Sequence, residues 1–261
     1  VALAGVVAAL VMRDVPFEEF NAALGLGTFP TKAIAGLLVC ILVGGLCGAF
    51  NGFLVTVVKL PPFIATLGTL GIFRGLALIV SDGRPIFGFG REFLQAFSGD
   101  FVGTSIPVAV VVAFTVAVIG WFIYSRTKFG KYTIAIGGNE QTTRLAGIPV
   151  ERYKMGVYIF AGLLTGVAAA LLLARLSSGD PTFGTLFELD AIAASVMGGT
   201  SLTGGEGSIT GTMVGALIIS IVRNAINIFN LPSYYQQIVI GSVIVFAVML
   251  DQWRKRQTER L

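Results

Sequence analysis

The side chains able to do chemistry in this sequence are few, and most lie inside apolar runs. Arg74 falls near the middle of one such run. A charge at that depth is expensive in a bilayer and must face a bundle interior or a water-filled cavity. Two roles fit it: tying helices together through carbonyls or a carboxylate, or standing on the path of a polar solute. Glu188, Asp190 and Arg223 lie nearer the ends of their runs, where they can pair with one another or face a docking partner. Asn51, Asn224 and Asn227 are further polar groups in apolar surroundings. The string Gly198-Gly199-Thr200-Ser201-Leu202-Thr203-Gly204-Gly205-Glu206-Gly207-Ser208 mixes glycines with hydroxyls. Irregular backbone at membrane depth is tolerated only against protein or a water-filled cavity. A tight cytoplasmic turn fits the string. So does a gate or polar path for a hydroxylated substrate, with Gly199, Thr200 and Ser201 as its candidate residues.

Other chemistries lack their residues. The chain has no histidine, which removes the commonest metal ligand and the commonest general base. Cys40 and Cys47 share one apolar run and one helix face, too far apart along the axis for a bridge. Small apolar packing residues are what they are expected to be. No catalytic residue and no metal site are expected. A membrane-embedded enzyme would need paired carboxylates or a metal cluster at mid-membrane. An ion-coupled secondary transporter or channel for a small polar solute is the alternative class. It would use intramembrane acids as relays, and only Glu188 and Asp190 are placed for that.

What must position these groups is a set of membrane-spanning helices. Of 261 residues, 55% are hydrophobic and 12% charged, and mean hydropathy is +0.86. A soluble domain carries roughly a quarter charged residues. The apolar runs are continuous, without the alternation of a barrel strand. A window of about 19 residues predicts spans at roughly 1–12, 33–57, 63–81, 106–125, 155–174, 187–203, 208–229 and 235–251. The expected fold is an all-α polytopic transmembrane bundle forming a single domain over 1–261. Val1 to Met12 read as the back half of a span whose front is missing.

The net charge of +4 does not point to nucleic acid, because the bases sit in loops and at the C-terminus. The loop 126–154 holds Arg126, Lys128, Lys131, Arg144, Arg152 and Lys154, and the tail adds Arg254, Lys255, Arg256 and Arg260. Both are expected in the cytoplasm by the positive-inside rule. Counting spans between them puts 204–207 on the same side and 13–32, 82–105 and 175–186 outside. Glycines recur at a spacing of four, as in Gly44, Gly48 and Gly52, Gly71 and Gly75, Gly162 and Gly166, Gly211 and Gly215. Small residues so spaced let helices approach closely in lipid.

Within the 126–154 loop, Gly137 to Ile148 reads GGNEQTTRLAGI. Asn139 suits an N-cap, and Glu140 suits the positive end of a helix dipole. Arg144 is in register to pair with Glu140. Gly147 can end the helix in a left-handed conformation. The spacing predicts a helix of about two turns over Asn139, Glu140, Gln141, Thr142, Thr143, Arg144, Leu145, Ala146 and Gly147. A helix that short is marginal alone in water, so it needs something to pack on: its own bundle, or a partner's groove.

The stretch KFGKYTIAIGGNEQTTRLAGI resembles the cytoplasmic loop of permease subunits of bacterial ABC sugar importers of the ribose, xylose and galactose group. Three further blocks match in order: Asn51 to Ile86, Phe187 to Ile218, and the ending from Tyr234 to Arg256. Family members have a longer N-terminus with a broken Gly-rich segment. The resemblance implies an N-terminally truncated permease with about eight of the family's ten spans, in the bacterial inner membrane with its C-terminus cytoplasmic. It implies import of a monosaccharide (ribose, xylose, galactose or fructose-like). It also implies two ABC ATPase subunits, a periplasmic sugar-binding protein, and a second permease chain as homodimer or related heterodimer. ATP and Mg would be held by the ATPase and no cofactor by this chain. Consistent with that, no Gly-x-x-x-x-Gly-Lys-Ser/Thr loop is present. Phe129-Gly130-Lys131-Tyr132 comes nearest and lacks the first glycine and the hydroxyl.

Overall fold

The computed structural model describes residues 1–15, 31–99, 101 and 105–229, with helical residues scattered through 238–249. Every named element among them is a helix. In chain order these are α1 (Ala2–Asp14), α2 (Thr31–Thr56), α3 (Pro62–Val80), α4 (Arg91–Ser98) and α5 (Val108–Arg126). Then come α6 (Lys128–Gly138), α7 (Glu140–Leu145), α8 (Val150–Leu176), α9 (Phe187–Met197) and α10 (Ile209–Ile228). Five of them, α2, α3, α5, α8 and α10, are long and apolar enough to cross a bilayer. The fold is an all-α, multi-pass membrane bundle. The predicted span at 235–251 lies largely outside the described residues, and the basic tail wholly so.

The chain forms two compact units, Val1–Phe114 with Glu151–Gly184, and Thr115–Val150 with Thr185–Leu261. In the first, α1 is a core element. Its Val6, Ala8, Ala9 and Met12 join a buried cluster with Cys40 of α2, Phe89, Phe93 of α4, and Ala170 and Leu173 of α8. At Gly44, Gly48, Gly162 and Gly166 the seam between α2 and α8 is made of backbone. A Cβ on Gly44 would overlap the Gly162 carbonyl, one on Gly48 the Tyr158 carbonyl, and one on Gly166 the Cys40 carbonyl. The absence of side chains lets the helices touch, so dispersion contacts form along the whole crossing. Gly71 and Gly75 of α3 share the spacing but not the partner: a Cβ at either meets nothing within 4 Å among the described residues.

The second unit contains the hairpin of α9 and α10, which run antiparallel. Gly198 abuts Gly211, and Gly215 abuts the Ala194 carbonyl. The cluster they bury is small: Ala193, Ala194 and Ile219, with Met197 against it. Here the structure departs from the span predicted at 187–203. The helix has 11 residues, about 16 Å at 1.5 Å per residue, against roughly 30 Å of hydrocarbon. It stops because Gly198 and Gly199 follow, the latter at φ +85. The rest of the apolar run is irregular backbone.

Candidate functional site

The predicted ledge is built at a corner. α5 ends at Arg126, and the Thr127 side chain accepts a hydrogen bond from the Gly130 N–H at 3.3 Å, capping α6. Gly130 lies directly on the Tyr124 backbone, so the chain turns with no space between the two helices. α6 buries Ile136 and ends at Gly138. Asn139, extended at φ −155, then caps α7, its side-chain oxygen accepting from the Thr142 N–H at 2.9 Å. Thr143 is buried, and its hydroxyl donates to the Asn139 carbonyl at 2.8 Å. Arg144 pairs with Glu140 at 3.3 Å, and Gly147 stops the helix at φ +81. The cap contributes about 1 kcal/mol and an exposed i,i+4 pair about 0.3–0.5 kcal/mol. Six residues are thereby held as one stiff piece. Gln141, Thr142 and Ala146 are exposed, and Leu145 is 84% exposed at the helix end.

Against this corner sits the glycine-hydroxyl turn. A Cβ on Gly137 would stand 2.6 Å from the Gly205 nitrogen, and one on Gly204 would stand 2.5 Å from the Gly137 oxygen. Gly204 and Gly205 have φ of +93 and +80, a region that favours glycine for its own sake. The Tyr124 hydroxyl donates to the Gly207 carbonyl at 3.2 Å. Inside the turn, the Ser201 N–H donates to the Glu206 carbonyl at 3.1 Å and the Gly204 N–H to the Ser201 carbonyl at 3.2 Å. Ser201 is buried, its hydroxyl 2.8 Å from that of Thr203. Thr200 is half-buried and Gly199 exposed. Ser208 then caps α10 by accepting from the Gly211 N–H at 3.2 Å.

The remaining polar candidates separate. Asn51 accepts a hydrogen bond from the Thr69 hydroxyl at 2.6 Å, joining α2 to α3. Arg74 is half-buried on α3, while Asn224 and Asn227 are exposed on α10. Arg223 forms an ion pair with Asp190, which fastens α10 to α9, and its guanidinium lies 5.5 Å from the Phe187 ring centroid. Glu188 stays exposed. Sequence reasoning missed the fit of Gly137 and Gly138 against Gly204 and Gly205, and the Tyr124 tether. It also missed a polar cavity of about 450 Å³ lined by Arg13, Ser81, Asp82, Arg84, Pro85 and Ile86. The glycines were visible as residues, but nothing in a linear string pairs position 137 with 205.

Residues 1–248 match the family described as "Branched-chain amino acid transport system / permease component". The chain belongs to this permease family. It is 49% identical over 205 residues to the ribose import permease protein RbsC of Bacillus subtilis, covering 77% of this chain and 63% of that protein. It is 41% identical over 219 residues to the D-allose transport system permease protein AlsC of Escherichia coli K12, covering 84% and 67%. The L-arabinose transport system permease protein AraH of the same strain is 37% identical over 206 residues, covering 79% and 62%. The chain thus spans about two thirds of the length of these relatives. No solved structure matches it. The family is one of transport permeases rather than enzymes, and membership sets aside the ion-coupled transporter or channel.

Proposed function

We propose that this chain is the membrane-spanning subunit of an ATP-driven ABC importer that passes a monosaccharide from a periplasmic binding protein to the cytoplasm. The observation that carries the reading is the ledge. In a chain of the permease family, a capped, ion-paired helix ends in an apolar side chain that is 84% exposed. That is the form a coupling helix needs: stiff enough to pass on a push, with Leu145 as the knob for an apolar groove. Asn139 to Gly147 are its residues. The ATPase subunits, with their ATP and Mg, are separate chains. The membrane unit is a pair of permease chains, this one with a copy or a close relative. α5, which has no buried residue among the described residues, offers surface for lipid or for that second chain.

In this reading the protein lies in the bacterial inner membrane, with the 126–154 loop, the 198–208 turn and the C-terminus cytoplasmic. Support for the turn's side is its contact with Gly137 and Tyr124 at the corner that carries the ledge. Support for a monosaccharide comes from the relatives, named for ribose, D-allose and L-arabinose. Asn51, Arg74, Gly199, Thr200, Ser201, Asn224 and Asn227 are the path or gate candidates. Thr200 and Ser201 have the hydroxyl chemistry suited to a sugar, whereas Asn51 is already engaged with Thr69.

The test is uptake into membrane vesicles carrying the full complex, with labelled D-ribose, D-allose, L-arabinose and leucine. Uptake of at least one sugar, dependent on ATP and on the binding protein, is expected. Leucine uptake without sugar uptake would replace the substrate with the branched-chain amino acid that the family description names. A cysteine at Ser208 should react with permeant but not impermeant thiol reagents added outside, and ready labelling from outside would overturn the topology.

A further inference from the structure

We propose that Gly137, Gly138, Gly204 and Gly205 form the joint through which movement of the ledge reaches the 198–208 turn. They are positioning residues that set transport per ATP hydrolysed. The inference rests on the reading of α7 as the ATPase-facing ledge.

The geometry favours transmission over absorption at each step. α7 is held by its cap, its ion pair and its glycine stop, and only Asn139 separates it from Gly138. A displacement of α7 therefore reaches the end of α6 through Asn139 alone, whose N–H donates to the Ala135 carbonyl at 3.0 Å. There, backbone meets backbone, since a Cβ on Gly205 would stand 2.8 Å from the Gly138 Cα. With no side chain between the segments, no rotamer change can take up the motion, and packed contacts of this kind shift between discrete arrangements rather than yielding. The turn is tied internally by Ser201 to Glu206 and Gly204 to Ser201, so it moves as a piece. Its ends lead straight into α9 and α10, themselves in backbone contact at Gly198 and Gly211. The Tyr124 hydroxyl on Gly207 anchors the turn to α5 and gives it a pivot. All of these residues belong to the second unit.

The experiment reads the turn directly and does not depend on which sugar is carried. In the complete complex, Cys40 and Cys47 are replaced by alanine, and Leu202, exposed on the turn, becomes the one cysteine within residues 1–261 (Leu202→Cys), its label located by peptide mass. Labelling by a membrane-permeant maleimide is timed with and without ATP plus vanadate. Nucleotide is expected to change the rate about fivefold or more, the lower range of a typical coupling. Gly137→Ala and Gly205→Ala should each abolish that change while the ATPase still co-purifies and hydrolyses ATP. The double variant should be no worse than the worse single one, because both open the same joint. A preserved nucleotide effect in the glycine variants would overturn the joint, as would a turn indifferent to nucleotide before any glycine is changed. Failure of the ledge reading looks different: Leu145→Asp would retain its ATPase. Should an alanine variant not reach the membrane, Tyr124→Phe decides, removing one hydroxyl only. A nucleotide effect reduced by half or more supports the joint and its pivot, and an unchanged effect refutes them.

Discussion

The two units close on themselves by different means. In the first, α2 and α8 meet along Gly44, Gly48, Gly162 and Gly166, and a cluster with Met12, Phe93 and Leu173 fills the space around α1. In the second, the α9–α10 hairpin is held by one small cluster among the described residues, by backbone contact at its glycines and by the ion pair of Asp190 with Arg223. Asp190 Oδ1 and Arg223 Nε are buried without a hydrogen-bond partner, so that tie is incomplete. Both units use glycine to bring backbones together. In one, the contact is a long seam between regular helices, where a shift anywhere must break many contacts at once. In the other, the α9–α10 hairpin has such contacts at Gly198 with Gly211 and at Gly215 with Ala194, and a further one, Gly137 with Gly204 and Gly205, lies between the end of a helix and a turn, where a shift breaks few. On the joint proposed above, the first arrangement serves as scaffold and the helix-to-turn contact of the second as the part that moves.

That contrast is most severely tested at the seam. Gly162→Leu would drive a side chain into the Gly44 carbonyl and should cost more than about 3 kcal/mol, beyond ordinary overpacking. Little folded protein should reach the membrane, as measured by detergent-extracted monodisperse yield. Next comes Arg223→Ala, which leaves Asp190 charged and partly buried and should cost about 3 kcal/mol. Thermal unfolding of the purified chain measures it, and Asp190→Ala in the same chain should restore part of the loss. If Arg223→Ala proves neutral, the hairpin is held by something other than its ion pair. Asn139→Ala should cost about 1 kcal/mol locally, too little to shift the melting of the whole chain, while weakening transport. Smallest in stability is Leu145→Asp, at under about 0.5 kcal/mol for an exposed surface position. Yet on the proposed coupling role it would put an unpaired charge into an apolar groove of the partner, so the ATPase should no longer co-purify and uptake should fail. An equal loss of stability and coupling in all four variants would erase the distinction between scaffold and moving part.

The ledge was legible in the sequence because its determinants are local. Asn139, Glu140, Arg144 and Gly147 act within a few residues of each other, and cap, pair and stop all appear as spacing demands. Length and apolarity likewise disclosed the long crossing helices. The short α9 was hidden, since hydropathy sums composition over a window and Gly198 and Gly199 count as nearly neutral in it. The glycine spacing foretold contact at Gly44, Gly162 and Gly211 but also at Gly71 and Gly75, where nothing lies within 4 Å. Small residues permit an approach without supplying a partner. Asn51 with Thr69 and Tyr124 with Gly207 are contacts between distant positions, and no periodicity encodes them.

The length of α9 also bears on how the chain is made. A segment of 11 helical residues is too short to be settled across a bilayer by itself, where about 20 apolar residues are required. While the ribosome has delivered only as far as Met197, the segment has no stable station in the lipid. It gains one when α10 emerges and the two can partition together as a hairpin, with Asp190 and Arg223 entering as a neutral couple rather than as separate charges. Biogenesis of this half is therefore cooperative, and a stop codon or pause placed between 198 and 208 should leave α9 exposed to membrane proteolysis instead of integrated.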